Sequence, residues 1–156
     1  MAIVNPQVWN GYAKYYADWL GFPANFFVAQ ASKESSYNYS TGSFNNVCNS
    51  FGSCGILQIQ RPAMQDVQRY FKLGELSPLD PYQSIVIATA YMIVLNHYIK
   101  SRLKYDALAD GAWNVLAVAY NGGWTAGVFY ALNGYAPSYE SRYYVAYIGN
   151  LMGSIA

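Results

Sequence analysis

Q-A-S-K-E-S-S-Y-N (Gln30–Asn38), a polar loop, and then F-G-S-C-G-I-L-Q-I-Q (Phe51–Gln60) decide how this chain reads. Glu34 is the one acidic residue between Gln30 and Gln60, and the next carboxylate along the chain is Asp66. Pro23 to Glu34 has a helical pattern, with Pro23 at the first position, where its missing N–H costs nothing. Phe27, Ala31 and Glu34 fall at i, i+4 and i+7, so the carboxyl shares a face with apolar side chains. A carboxyl emerging from an apolar face loses hydration, and that raises its pKa. A raised pKa makes it a proton donor near neutral pH. By periodicity alone the plainer reading, a helix-end glutamate facing water, is favoured.

Composition narrows the classes. A chain of 156 residues suits one compact domain, residues 1–156, with a sizeable core. The formal charge of +1 gives no field that would draw nucleic acid. Tyr alone supplies 17 residues, and its flat apolar face with a polar tip suits sugar rings and polar grooves, although most of these rings are expected to fill the core and its rim. Cys48 and Cys54 flank a short loop that either closes as a disulfide or leaves two free thiols. Two Cys and the single His97 are too few ligands for a zinc site, and no metal or organic cofactor is expected. The apolar run Ile85–Leu95 is too short to span a bilayer and reads as a buried core helix. The first residues lack a basic region and a long apolar segment, so no signal peptide is expected.

Along the chain, Asn5-Pro6 caps a first helix carrying Trp9, Tyr12, Ala13, Tyr16, Ala17 and Leu20 at helical spacing, and Gly21 ends it. Asn38–Ser53 reads as a loop longer than the usual connection, of the kind that shapes binding sites. Pro62 starts a helix to about Phe71, and Asp80-Pro81 starts a long one to about Leu103. Asp110 is expected to cap a helix that Asn121-Gly122-Gly123 breaks. A short helix over Trp124–Leu132 and a last one from Ser138 to about Met152 complete a mostly α fold with little or no sheet.

The blocks E-S-S-Y-N and G-S-C-G-I-L-Q-I resemble the soluble lytic transglycosylases of the lysozyme-like superfamily, whose pattern is a Glu-Ser pair, a short loop and G-A-x-G-L-M-Q-I. D-P-Y-Q-S-I-V-I-A-T-A-Y-M is similar to that family's D-P-x-x-N-I-x-x-G-x-x-Y-L, with Ala88 where Gly is preferred. Ala119-Tyr120-Asn121 followed by Gly123 is similar to A-Y-N-x-G, and Pro137 to Val145 to P-x-x-E-T-R-x-Y-V. Each block is weak alone, and four in order over Trp9 to Val145 are specific. The departures are the lengthened loop, Ile56-Leu57 for Leu-Met, and the two cysteines. The loop also displaces the family's serine, for which Ser50 is nearest, one residue off register.

The resemblance implies a single lysozyme-like domain with a substrate cleft, in which Gly55–Ile59 is a short extended segment beside the catalytic Glu34. It implies Gln58, Tyr91, Tyr120, Asn121 and Tyr144 as substrate-side residues, with the Tyr144 hydroxyl reaching the Glu34 carboxyl and Tyr143 less important. Each has a plainer alternative: core packing for Tyr91, a helix cap for Asn121, a loop amide for Gln58. The implied substrate is the glycan strand of peptidoglycan, cut at the β-1,4 link between N-acetylmuramic acid and N-acetylglucosamine. Glu34 would act first as acid and then as base, the substrate's N-acetyl group stabilising the cation and the 6-hydroxyl closing a 1,6-anhydro ring.

A two-carboxylate mechanism needs a partner acid. Asp18, Asp66, Glu75, Asp80, Asp106, Asp110 and Glu140 are the candidates, each with a plainer role such as a helix cap, so a single-carboxylate site is the simpler expectation. The rivals are a hydrolase of the same fold and a catalytically silent wall-binding or virion domain. The expected settings are a phage virion or the bacterial periplasm and cell wall, with other virion or secretion-machine components as further partners.

Overall fold

The computed structural model describes residues 1–155. Seven α-helices and one small sheet are found among them: β1 (Ala2–Ile3), α1 (Pro6–Leu20), α2 (Phe26–Ser35), β2 (Ser43–Phe44), α3 (Arg61–Phe71), α4 (Pro81–Leu103), α5 (Trp113–Gly122), α6 (Trp124–Asn133) and α7 (Tyr139–Ser154). The mostly α expectation holds.

Helix starts follow the local chemistry where a side chain supplies the missing acceptor. Asn5 accepts from Val8 N, Asp80 from Tyr82 N and Gln83 N, and Ser138 from Ser141 N. Gly21, at φ 78°, closes α1 as a left-handed cap. Two starts differ from expectation. Pro23 does not open α2: its carbonyl accepts from Phe26 N in a turn, and the helix begins at Phe26 behind Asn25. Asp110 does not cap α5, which begins at Trp113 after Ala112; its carboxylate instead accepts from the Tyr105 hydroxyl at 2.9 Å.

Helix α4 is the axis of the packing. Ile85, Ile87, Ala88, Met92, Val94, Leu95 and Ile99 are all buried, so apolar residues face inward round most of its girth. It packs against α1, α3, α5 and α6, while α2 packs against α1 and α7. Trp9 in α1 is fully buried and donates its indole N–H to Pro81 O at 3.0 Å, locking α1 to the start of α4. No helix among the described residues is long and apolar enough to cross a membrane.

The long loop carries more order than its composition suggests. Ser43–Phe44 pairs antiparallel with Ala2–Ile3, in register Ala2↔Phe44 and Ile3↔Ser43. Cys48 and Cys54 are joined in a disulfide, with Cα atoms 4.0 Å apart, and are not free thiols. The segment expected to be extended, Gly55–Ile59, is a turn instead, closed by a backbone exchange between Cys54 and Ile59. Gly55 explains the difference. Its φ is +82°, and a Cβ there would overlap the Pro78 carbonyl oxygen, so the chain turns tightly against residues 78–79 where only glycine fits.

Candidate functional site

Glu34 is the penultimate residue of α2, with Phe27 and Ala31 of the same face fully buried beneath it. It lies in a cleft of about 290 Å³, together with Lys33, Ser53, Gln58, Tyr91, Tyr120, Asn121 and Glu140. Behind the carboxyl stands a buried polar chain. The Tyr144 hydroxyl donates to Glu34 Oε2 at 2.9 Å and accepts from Gln30 Nε2 at 3.1 Å. Tyr144 and Gln30 are both buried, and Gln30 Oε1 has no partner among the described residues.

Burial raises the Glu34 pKa from 4.5 to about 7. The Tyr144 hydrogen bond and the neighbouring Lys33 ammonium pull it down, and the Glu140 charge pushes it slightly up. Loss of hydration therefore wins over the phenol donor. Near neutral pH the carboxyl is poised between giving a proton and taking one back.

The second motif block forms another wall of the cleft. The Ser35 hydroxyl lies 2.8 Å from Ile56 O and 3.1 Å from Ala31 O, so the residue after the candidate acid ties α2 to the Gly55–Ile59 turn. Gln58 has a left-handed backbone, φ 48°, uncommon for a residue with a side chain. Its amide N–H₂ group bonds Gly55 O at 2.9 Å and Val47 O at 3.0 Å. The donors of Gln58 thus brace the loop, and the residue lines the cleft.

Three helices supply the remaining walls. Tyr91 of α4 and Tyr120 of α5 meet edge to face, ring centroids 5.6 Å apart. The Tyr120 hydroxyl donates to Leu57 O at 2.8 Å, so its ring lines the cleft while its polar tip serves the fold. Asn121 lies inside α5, and Gly123 takes the cap position. Its Oδ1 accepts from the Ser141 hydroxyl at 2.8 Å, and its Nδ2 lies 3.4 Å from Glu140 Oε1.

All six candidate residues thus converge, five as lining and Tyr144 as the support behind Glu34 rather than as part of the cleft surface. Tyr143, its neighbour, is exposed on the outside under the Lys33 ammonium. Among the seven other carboxylates weighed from sequence, Glu140 alone lines the cleft with Glu34, an arrangement that linear position did not disclose. Ser53, not Ser50, is the loop serine of the cleft, and Lys33, Asn49 and Phe51 join it. Of these, Lys33 had a signal: it precedes Glu34 directly. The loop residues had none, because their placement depends on a ring closed by the disulfide.

Comparison with individually characterised proteins finds no match. The family model described as Transglycosylase SLT domain matches residues 11–137. That span contains Glu34, Gln58, Tyr91, Tyr120 and Asn121 and stops before α7, so Glu140 and Tyr144 lie outside it. With most of its length matched, the chain belongs to the transglycosylase SLT domain family.

Proposed function

We propose that the chain, as one catalytic domain, cleaves the β-1,4 bond between N-acetylmuramic acid and N-acetylglucosamine in peptidoglycan, leaving 1,6-anhydro ends. Family membership supports peptidoglycan as the substrate and lytic transglycosylase activity as the class of reaction. The observation that carries the finer reading is the Glu34 carboxyl, lining a polar cleft, bonded by the buried Tyr144 hydroxyl and raised by burial to a pKa of about 7. In this reading Glu34 protonates the leaving oxygen as the glycosidic bond breaks. The substrate's own N-acetyl oxygen then stabilises the developing cation. The carboxylate left behind takes the proton of the muramic 6-hydroxyl as that oxygen closes the ring, so Glu34 ends as it began. Tyr144 holds the carboxyl in one orientation through both transfers. Gln58 Oε1 and Asn121 offer acceptor and donor to acetamido and hydroxyl groups.

One observation favours a second reading. Glu140 shares the cleft, and a pair of carboxylates on opposite faces of a sugar is the arrangement that activates water. Hydrolysis would leave reducing ends. Purified chain acting on sacculi distinguishes the two, because anhydro ends resist borohydride and weigh one water less. Anhydro products with Glu140→Gln still active support the single-acid route. Reducible ends that vanish with Glu140→Gln would establish the other. The setting proposed is a phage particle or the bacterial envelope, where a disulfide of this kind persists.

A further inference from the structure

The cleft is small for a polymer. At about 290 Å³ it lies at the bottom of the range for ligand sites, roughly 300–1,000 Å³, so most of a glycan strand must run outside it along the rim. One rim residue is anomalous. Phe51 lines the cleft and yet is 90% exposed, the most exposed aromatic side chain among the described residues. A ring this open gives the folded chain almost no apolar burial, so its identity is not explained by the core.

The loop beneath Phe51 is built as a rigid mount. Cys48 and Cys54 close it at the base by the disulfide. Inside the ring, Asn49 Oδ1 accepts from Phe51 N at 2.9 Å and Ser53 N at 3.0 Å, while Asn49 N donates to Ser53 O at 2.9 Å. Gly52, φ +81°, supplies the left-handed residue that the turn needs. Below the bridge, Val47 O accepts from Gly55 N and from the Gln58 amide, so the mount is fastened to the cleft wall itself. These are the loop and the cysteines in which the chain departs from its family's sequence pattern.

We propose that Phe51 is an apolar platform on which a pyranose ring of the glycan strand rests where it leaves the cleft, and that the Cys48–Cys54 bridge holds it in place. A pyranose carries C–H groups on its faces and hydroxyls round its rim. An aromatic ring laid against a face buries those C–H groups and leaves the hydroxyls in water. A ring already fixed by its loop loses little freedom on contact, so more of the contact energy appears as affinity. The occupant follows from continuity: Phe51 borders the cavity that holds Glu34. The inference rests on the glycan reading above, and it places Phe51 in strand binding and not in proton transfer.

The test measures binding without turnover. The full chain carrying Glu34→Gln is titrated with purified sacculi, alone and combined with Phe51→Ala, Phe51→Trp, or Cys48→Ser with Cys54→Ser. Phe51→Ala is expected to weaken binding about tenfold, equivalent to ~1.4 kcal/mol, and Phe51→Trp to keep it. The double serine variant is expected to weaken binding too, and adding Phe51→Ala to it to change the affinity by less than about twofold, because the two act as one unit. Equal affinity of the Phe51→Ala and parent proteins would overturn the proposal, as would full additivity with the serine changes. A change confined to self-association would overturn it as well. Release of soluble fragments by the chain with Glu34 intact reports separately on the glycan reading. Its absence would sink that reading, whereas release together with binding indifferent to Phe51 sinks the platform alone.

Discussion

The two walls of the cleft are secured by different means. On the α2–α7 side, Glu34, Tyr144 and Gln30 form a chain of side-chain hydrogen bonds in which Tyr144 and Gln30 are out of reach of water. On the loop side, residues 47–59 are held by backbone bonds, a disulfide and the Gln58 amide, with Val47, Phe51 and Gly52 open to solvent. The first wall sets proton affinity, because burial acts on a titratable group. The second sets shape, because covalent and backbone restraints fix geometry without perturbing any carboxyl. Substitutions on the two sides should therefore separate: pH behaviour from one, substrate affinity from the other.

The largest expected effect lies on the buried wall. Glu34→Gln should reduce turnover of peptidoglycan by at least ~10²-fold, the low end for loss of a general acid, in a dye-release or zymogram assay. Glu140→Gln, in the same cleft but exposed, should lose less than about tenfold, since its charge acts on Glu34 only weakly. Equal losses from the two would erase the distinction between a proton donor and its neighbour.

The next effect needs no substrate. A folded carboxyl whose pKa is raised from 4.5 to about 7 binds its proton more tightly than in the unfolded chain. Its contribution is whole below about 4.5, declines as pH rises through that window, and is gone above 7. The loss amounts to roughly 3 kcal/mol across the window. Glu34→Gln cannot ionise, so its stability relative to the parent should rise between pH 4 and pH 8 by about that amount in urea melts. A pH-independent difference would mean that the carboxyl is hydrated.

Opening the loop wall should cost less. Replacing Cys48 and Cys54 by Ser frees a short ring, a loss of ~2 kcal/mol by loop closure, measurable as a lower urea midpoint. The alkaline fall of activity should stay where it is, because no group near Glu34 is altered. A shift in that limb would join the two walls again.

The smallest effect sharpens the buried wall from within. Tyr144→Phe removes the donor that lowers the Glu34 pKa, so the alkaline limb of kcat/KM should move to higher pH. Gln30 Nε2 then lacks its acceptor, at a cost of about 1–2 kcal/mol in stability. Tyr143→Phe, outside the cleft, should leave the limb unmoved.

What sequence disclosed follows the range of each interaction. The caps at Asn5, Asp80 and Ser138 act within three residues, and the helices they open lie where local chemistry placed them. Phe27, Ala31 and Glu34 share a face because helical spacing requires it, and the family motifs gathered Gln58, Tyr91, Tyr120 and Asn121 round the same cleft. Illegible features depended on tertiary partners or on a local bond that competed with the expected one. Asp110 looks like a cap until Tyr105 claims its carboxylate. Gly55–Ile59 looks extended until the Pro78 carbonyl forces the turn. The pairing of Ala2–Ile3 with Ser43–Phe44 is too short to leave an alternating pattern. Glu140 meets Glu34 only because α7 packs on α2 and α5, a contact that no local rule contains.

The central claim is that loss of hydration, not a neighbouring charge, keeps the Glu34 proton near neutrality. Carbon-13 NMR of side-chain carboxyls in the full chain, with the Glu34→Gln spectrum assigning the resonance, reads that proton directly. The account expects a midpoint at about 7 in the parent, moved further up by Tyr144→Phe and little changed by Glu140→Gln. A midpoint at the ordinary 4.5, or one that falls back to it when Glu140 is neutralised, would contradict it.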